Sequence, residues 1–176
     1  MSIPFFYIEQ FDEKASLITL NEETSKHVVQ VLRMYEGEQL NLTDGKGTLI
    51  TTVITTAHKK NCVVKLQNKS YKEQGTRKTI IGISLVKNSS RFEWFLEKAT
   101  EIGVTQIIPL ICERTERQHF RYERMKGIIV SAMLQSQQVW LPVLHEPVKF
   151  EEYIRQTSTS DEEEVSHLLS RPTGMS

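Results

Sequence analysis

The stretch Ser90 to Cys112 constrains the fold most, because helix, cap and buried strand follow one another in it without a gap. Phe92, Phe95, Leu96, Ala99 and Ile102 recur at i, i+3, i+4 and i+7, which lays an apolar stripe along one face of a helix. Ser90 followed three residues on by Glu93 has the capping-box pattern, in which hydroxyl and carboxylate each satisfy a backbone N–H orphaned at the helix start. Gly103 ends the helix, since without a Cβ it takes the left-handed conformation that a helix C-terminus commonly needs. Val104 opens an apolar run through Ile107, Ile108, Leu110 and Ile111, continuous enough for a strand covered on both faces. Ahead of the helix, Thr79 to Val86 is a second short apolar run. Strand, helix and strand in that order predict a βαβ unit with a parallel pair.

The first 68 residues have a different pattern, mostly strands broken by one helix. Ile3 to Ile8 begins it. Asn21 is placed to N-cap a helix over Glu22 to Met34, with Val28, Val31, Leu32 and Tyr35 on its apolar face and Gly37 closing it. Leu40 and Leu42 then alternate with polar residues up to Asp44-Gly45, a dipeptide suited to a tight hairpin turn. Leu49 to Thr56 and Asn61 to Leu66 complete a small antiparallel barrel carrying one helix. Residues 69–78 are polar, include Gly75 and predict a linker. The α/β domain then occupies 79–156. In it Tyr122, Met125, Ile129, Ala132, Met133 and Ser136 share one face of a helix over Arg121 to Gln138, which Leu141-Pro142 stops. Val143 to Lys149 is a short connection, Phe150 to Arg155 a brief helical piece, and 157–176 a polar tail.

Hydrophobic residues at 39% and charged residues at 25% suit a globular protein with a buried core. No apolar run approaches the ~20 residues of a membrane helix, and Met1 to Gln10 lacks the features of a signal peptide, so a cytoplasmic protein is expected. Cys62 and Cys112 are read as reduced thiols, and no metal-ligand cluster is present. The formal net charge of zero argues against strong non-specific nucleic-acid binding. Acids gather in 151–176, however, leaving 20 bases against 16 acids in the first 150 residues. Glu113 to Lys126 stands out as the densest basic stretch, with Arg114, Arg117, Arg121, Arg124 and Lys126 interleaved with His119, Phe120 and Tyr122. His27, His58, His119 and His145 are scattered, with no carboxylate at a triad spacing, so no catalytic base is identified.

Three blocks resemble one family: H-V-V-Q-V-L-R-M-Y-E-G-E-Q-L-N-L-T-D-G-K-G from His27 to Gly47, F-E-W-F-L-E-K-A-T-E-I-G-V-T-Q-I-I-P-L from Phe92 to Leu110, and S-A-M-L-Q-S-Q-Q-V-W-L-P from Ser131 to Pro142. They are similar to the RsmE family of ribosomal RNA methyltransferases in the SPOUT superfamily. The resemblance implies an α/β protein with an N-terminal PUA-like β-barrel and a SPOUT-type trefoil-knot domain. It also implies S-adenosylmethionine-dependent methylation of uridine N3 in small-subunit (16S) ribosomal RNA, and a homodimer. Phosphates call for Arg and Lys, and Arg33, Lys87, Arg91 and Arg114 are the expected RNA contacts. Lys87 and Arg91 bracket the end of a strand, where α/β sheets place their sites. Trp94 and Trp140 are expected in the core or an interface. Two departures stand out. Gln137 and Gln138 follow Ser136 where the family usually has an Arg, and the family's G-P-E-G-G and L-R-T-E-T type segments have no counterpart after Tyr153. A truncated chain lacking most of the cofactor pocket is therefore expected, and an RNA-binding or interaction module without catalysis is the competing expectation.

Overall fold

The computed structural model describes residues 3–12, 14–113 and 120–157. In the N-terminal half, β1 (Phe5–Tyr7), β2 (Leu17–Thr19), β3 (Gln39–Thr43), β4 (Thr48–Thr56) and β5 (Val63–Tyr71) form a curled sheet in the order β1-β3-β4-β5-β2. Thr48, Ile50, Thr52 and Ile54 of β4 are buried alternately, the period of a strand with one face on a core. They meet Leu40 and Leu42 of β3, Val64 of β5 and Ile18 of β2. Helix α1 (Glu22–Lys26) covers this core, its Asn21 cap accepting from the Thr24 N–H at 2.8 Å as expected. Ser25 stitches the helix down, donating to Leu20 O and accepting from the Cys62 N–H at 2.9 Å.

Three expectations for this half change. The sheet is not uniformly antiparallel: β1 pairs parallel with β3, because the chain reaches β3 through β2 and a helix rather than a hairpin. The helix does not run to Met34. It passes into a π-helical turn, His27–Val31, closed by the Leu32 N–H on His27 O at 2.9 Å, and Arg33 then adopts φ +56°. The wider turn shifts the side-chain phase, so Val28 is fully buried while Val31, Leu32 and Tyr35 are exposed. Gly37 sits in the turn into β3 instead of at a helix end. Finally, β5 continues to Tyr71, so Lys69, Ser70 and Tyr71 of the expected linker pair with Ile50, Leu49 and Thr48. These three residues are exposed and polar, so hydropathy does not mark the strand there.

The second half contains β6 (Ile80–Ser84), α2 (Ser89–Glu101), β7 (Gln106–Ile111), α3 (Tyr122–Gln135), β8 (Val143–Leu144), β9 (Val148–Lys149) and a last helical segment over 150–157. The predicted βαβ unit is there, with β6 and β7 parallel from Ile80↔Gln106 to Ser84↔Leu110. The expected connection Val143 to Lys149 is an interrupted third strand, β8 and β9 both pairing parallel with β7. Each piece spans two residues, too few to show a period. Helices α2 and α3 bury Phe92, Leu96, Ala99, Met125 and Ile129 with Ile107 and Leu144. The Tyr122 hydroxyl donates to Leu144 O at 2.9 Å.

The junction from α2 to β7 is closed by backbone hydrogen bonds. Gly103, at φ +84°, donates to Thr100 O at 3.0 Å and Val104 to Ala99 O at 3.0 Å, the paired bonds of a Schellman motif. Gln138 Nε2 donates to Thr100 O at 3.0 Å and Glu101 O at 2.9 Å, satisfying carbonyls that the helix leaves open. Ile102 ends the apolar stripe early, 79% exposed, because the chain leaves the helix there. At the other end the capping box does not form. Asn88 is the cap, accepting from the Ser90 N–H at 3.0 Å, and Glu93 is engaged elsewhere.

The two halves meet at the loop between β3 and β4. Gly47 donates to Val139 O, and Leu141 donates to Gly45 O, both at 2.8 Å, while Trp140 Nε1 donates to Lys72 O at 2.8 Å. A Cβ on Gly47 would lie 2.6 Å from Trp140 Cζ2 and 2.8 Å from Lys72 O, and φ there is +96°. Gly37 has a similar φ of +91° with nothing within 4 Å. Gly37→Ala is therefore expected to cost only the backbone strain, about 1–2 kcal/mol, and Gly47→Ala clearly more because the clash adds to it. Urea unfolding midpoints of the two variants provide the comparison.

Candidate functional site

Open α/β sheets place ligands beyond the carboxyl ends of their parallel strands. In this chain Leu85, Val86 and Lys87 carry β6 into the start of α2, while Phe120 and Arg121 lead into α3. Between them lies a cleft of about 400 Å³. Its apolar wall is Phe92 against Phe120, edge-on at 6.1 Å, with Met125 beside them. Its polar lining includes Lys87, Arg121 and Arg124 against one carboxylate, Glu93. The N-terminal turns of α2 and α3 both border it, and their helix dipoles add positive potential.

Glu93 grips Arg124 with both oxygens, Nε at 2.8 Å and the terminal nitrogen at 3.0 Å. That bidentate bond holds the Glu93 carboxyl below its ordinary range and raises the guanidinium further. It also ties α3 to α2 across the cleft mouth. Among the described lining residues Lys87, Arg121 and Arg124 outnumber Glu93, a balance that suits a polyanion. A sulfonium donor carries positive charge itself, so the described residues of this cleft do not fit it.

Sequence reasoning and structure overlap in part. Lys87, an expected RNA contact, lines the cleft. Arg91 borders an adjoining apolar recess with Ile83, Trp94 and Phe95. Arg33 sits on the other half, at the end of the π-helical turn, and is not among the residues lining the cleft. Arg114, Arg117 and His119 lie outside the described residues. The structure adds Arg121 and Arg124, whose i, i+3 spacing at the start of a helix was the available signal. None of the three described histidines lines the cleft: His27 packs edge-on to Phe6 at 5.6 Å, His58 Nδ1 accepts from the Lys60 N–H at 3.3 Å, and His145 bonds Gln106 at 3.0 Å. Trp140 fills the joint between the halves, but Trp94 is 63% exposed, contrary to a place in the core. Gln138, one of the two departures in the third block, caps α2.

Comparison with known proteins identifies two family models along the chain. A family model described as an RNA methyltransferase domain matches residues 72–170, more than half the chain, and one described as an RNA methyltransferase PUA domain matches 20–67. The chain belongs to the RNA methyltransferase family. Its fold is accordingly an α/β methyltransferase domain behind a PUA-type sheet. Ribosomal RNA small subunit methyltransferase E of Synechocystis sp. is 27% identical over 144 residues, covering 80% of this chain and 46% of the relative. A probable rRNA-methyltransferase structure from Porphyromonas gingivalis superposes with TM-score 0.76 at 34% identity, covering 86% of this chain and 63% of that one. The small subunit methyltransferase E of Neisseria gonorrhoeae, solved bound to S-adenosyl methionine, gives TM-score 0.74 at 26% identity, covering 86% and 64%. The chain thus spans about half the length of the Synechocystis relative and under two thirds of the two solved structures.

Because the Glu93 carboxyl titrates lower in the folded protein, its contribution to stability is present above the unfolded pKa and is lost as pH falls through the folded one. Glu93→Gln is expected to lower stability at neutral pH, and its deficit to shrink on acidification to about pH 3. Urea midpoints of parent and variant across that range measure it.

Proposed function

We propose that this chain works as an RsmE-type methyltransferase, moving a methyl group from S-adenosylmethionine to N3 of a uridine in small-subunit (16S) ribosomal RNA. The observation that carries the RNA side of the reading is the cationic cleft beyond the carboxyl end of β6, in a domain clamped to a PUA-type module through Gly45 and Gly47, and the donor side rests on the relatives. The relatives support the substrate and the donor: the Synechocystis protein is named for the small-subunit RNA, and the Neisseria protein was solved with S-adenosyl methionine.

In this reading residues 1–68, with β5 running on to Tyr71, present the RNA, 72–78 connect, and 79–156 carry the transfer domain. Lys87 and Arg121 hold phosphates at the cleft, with Arg33, Arg91 and Arg114 as further RNA contacts. Uracil N3 carries a proton between two carbonyls, so a group must accept it as the methyl arrives. The residues described here orient RNA, and Glu93 keeps Arg124 fixed beside them. The reading extends to a homodimer acting in the cytoplasm, a second copy covering the apolar recess beside the exposed Val86 and Trp94. No described helix is long and apolar enough to cross a membrane.

Titration calorimetry with S-adenosylmethionine, alongside transfer of labelled methyl groups to small-subunit rRNA, tests the activity. Heat of binding and incorporation at a uridine are expected. RNA affinity without either would put an RNA-binding module in its place. Lys87→Gln with Arg121→Gln is expected to weaken RNA binding roughly tenfold, since each removes one charged contact to phosphate. Fluorescence anisotropy of a labelled rRNA fragment reads that loss.

A further inference from the structure

A guanidinium has two edges that can each donate a pair of parallel hydrogen bonds, and Arg124 uses only one of them. Glu93 takes the side-on edge, Oε1 accepting from Nε at 2.8 Å and Oε2 from Nη2 at 3.0 Å. The end-on edge, made by Nη1 and the second Nη2 hydrogen, has no partner among the described residues. Arg124 lines the cleft beyond β6, and its side chain is 57% exposed against 18% for Glu93. The pair is therefore covered on its carboxylate side and open on its guanidinium side.

Both residues stand on rigid supports. Glu93 lies in the second turn of α2 and Arg124 in the first turn of α3, and the two helices share the core of Phe92, Leu96, Met125 and Ile129. An unrestrained arginine loses rotamer freedom when it closes on a phosphate, whereas one already fixed by a carboxylate loses less. A charge effect of opposite sign stands against this. Glu93 is the one acid among the described lining residues, and its carboxylate repels any anion that enters. Geometry and charge thus give opposite signs for the same substitution.

We propose that Arg124 takes a phosphate of the RNA on its end-on edge, and that Glu93 is the positioning residue that holds this edge toward the cleft. The inference rests on the RNA methyltransferase reading and gives a role within it to an acid that charge alone would exclude from an anion site. Removing the one acid of the lining then weakens RNA binding, although it makes the cleft more positive. Lysine cannot stand in for Arg124, because an ammonium is a point charge with no second edge to aim.

The test is anisotropy of a fluorescein-labelled small-subunit rRNA fragment over a series of salt concentrations, with the full chain and its E93Q, R124Q, R124K and E93Q/R124Q variants. E93Q is expected to bind about threefold more weakly than the parent, and R124Q and R124K about tenfold. The slope of log K against log salt should become shallower by about one in R124Q. In the R124Q background the Glu93→Gln change should bring no further loss, because its effect runs through Arg124. Tighter binding by E93Q than by the parent would overturn the positioning role in favour of charge alone and leave the methyltransferase reading intact. Equal losses from Glu93→Gln in the two backgrounds would overturn it in favour of a role in the fold. So would an R124K variant, which keeps the parent's charge, binding as the parent does. A parent with no salt-dependent affinity for rRNA would overturn both the positioning role and the reading it rests on.

Discussion

The close approach of the Asp44 to Gly47 loop to Val139, Trp140 and Leu141 is the contact on which the rest of the molecule depends. Two backbone hydrogen bonds at 2.8 Å cross it, and a Cβ at Gly45 or Gly47 would come within 3.0 Å of the opposite side. Only residues without side chains let the two backbones come this close. Asp44 shapes the loop from within, its Oδ1 accepting from the N–H groups of Lys46 at 2.8 Å and Thr48 at 3.2 Å. Lys126 and Glu9 also span the halves, but an exposed ion pair contributes little. The orientation of the PUA-type sheet relative to the cleft therefore rests on backbone geometry, with electrostatics secondary.

The same economy appears at the end of α2. The K-A-T-E-I-G-V segment, the most family-specific run in the chain, consists mainly of structural parts. Ala99 and Thr100 are buried, Gly103 makes the left-handed turn, Val104 enters the core, and Lys98 is held between Glu97 and Glu101, which raise its pKa. Gln138, from the far end of α3, completes the cap. A motif can thus be diagnostic of a family while most of its side chains serve packing and capping. What the junction does is aim β7, and with it the carboxyl end of the sheet, toward the cleft.

Charge is then distributed around this frame in two zones. At the carboxyl ends of the strands, Glu93 pairs with one arginine and leaves a positive lining. At the amino ends, the segment between the halves is basic with one acid to offset it. A chain of zero formal charge can therefore present strongly positive local surfaces, and total charge is a poor guide to polyanion binding. Burial pushes the Cys62 thiol up, which fits a structural cysteine in the barrel core rather than a reactive one.

What the residues determined by themselves was local and periodic. The stripe on α2, the glycine at its end, the continuous apolar run of β7, the Asn21 cap and the buried face of α3 were all legible, because each depends on neighbours within a few positions. What tertiary structure decided was everything set by a distant partner. Glu93 fits a capping box in sequence, yet a guanidinium 31 residues away outcompetes it. The stretch Val143 to Lys149 becomes strand only because β7 offers a free edge, and β5 outruns its apolar pattern because β4 continues to pair with it. A π-helical turn moved Val31 and Leu32 to the surface, since the phase of a helix is settled by the core it packs on. Periodicity records which face of an element is apolar. Which elements face one another, and so which charges share a cleft, is written only in their packing.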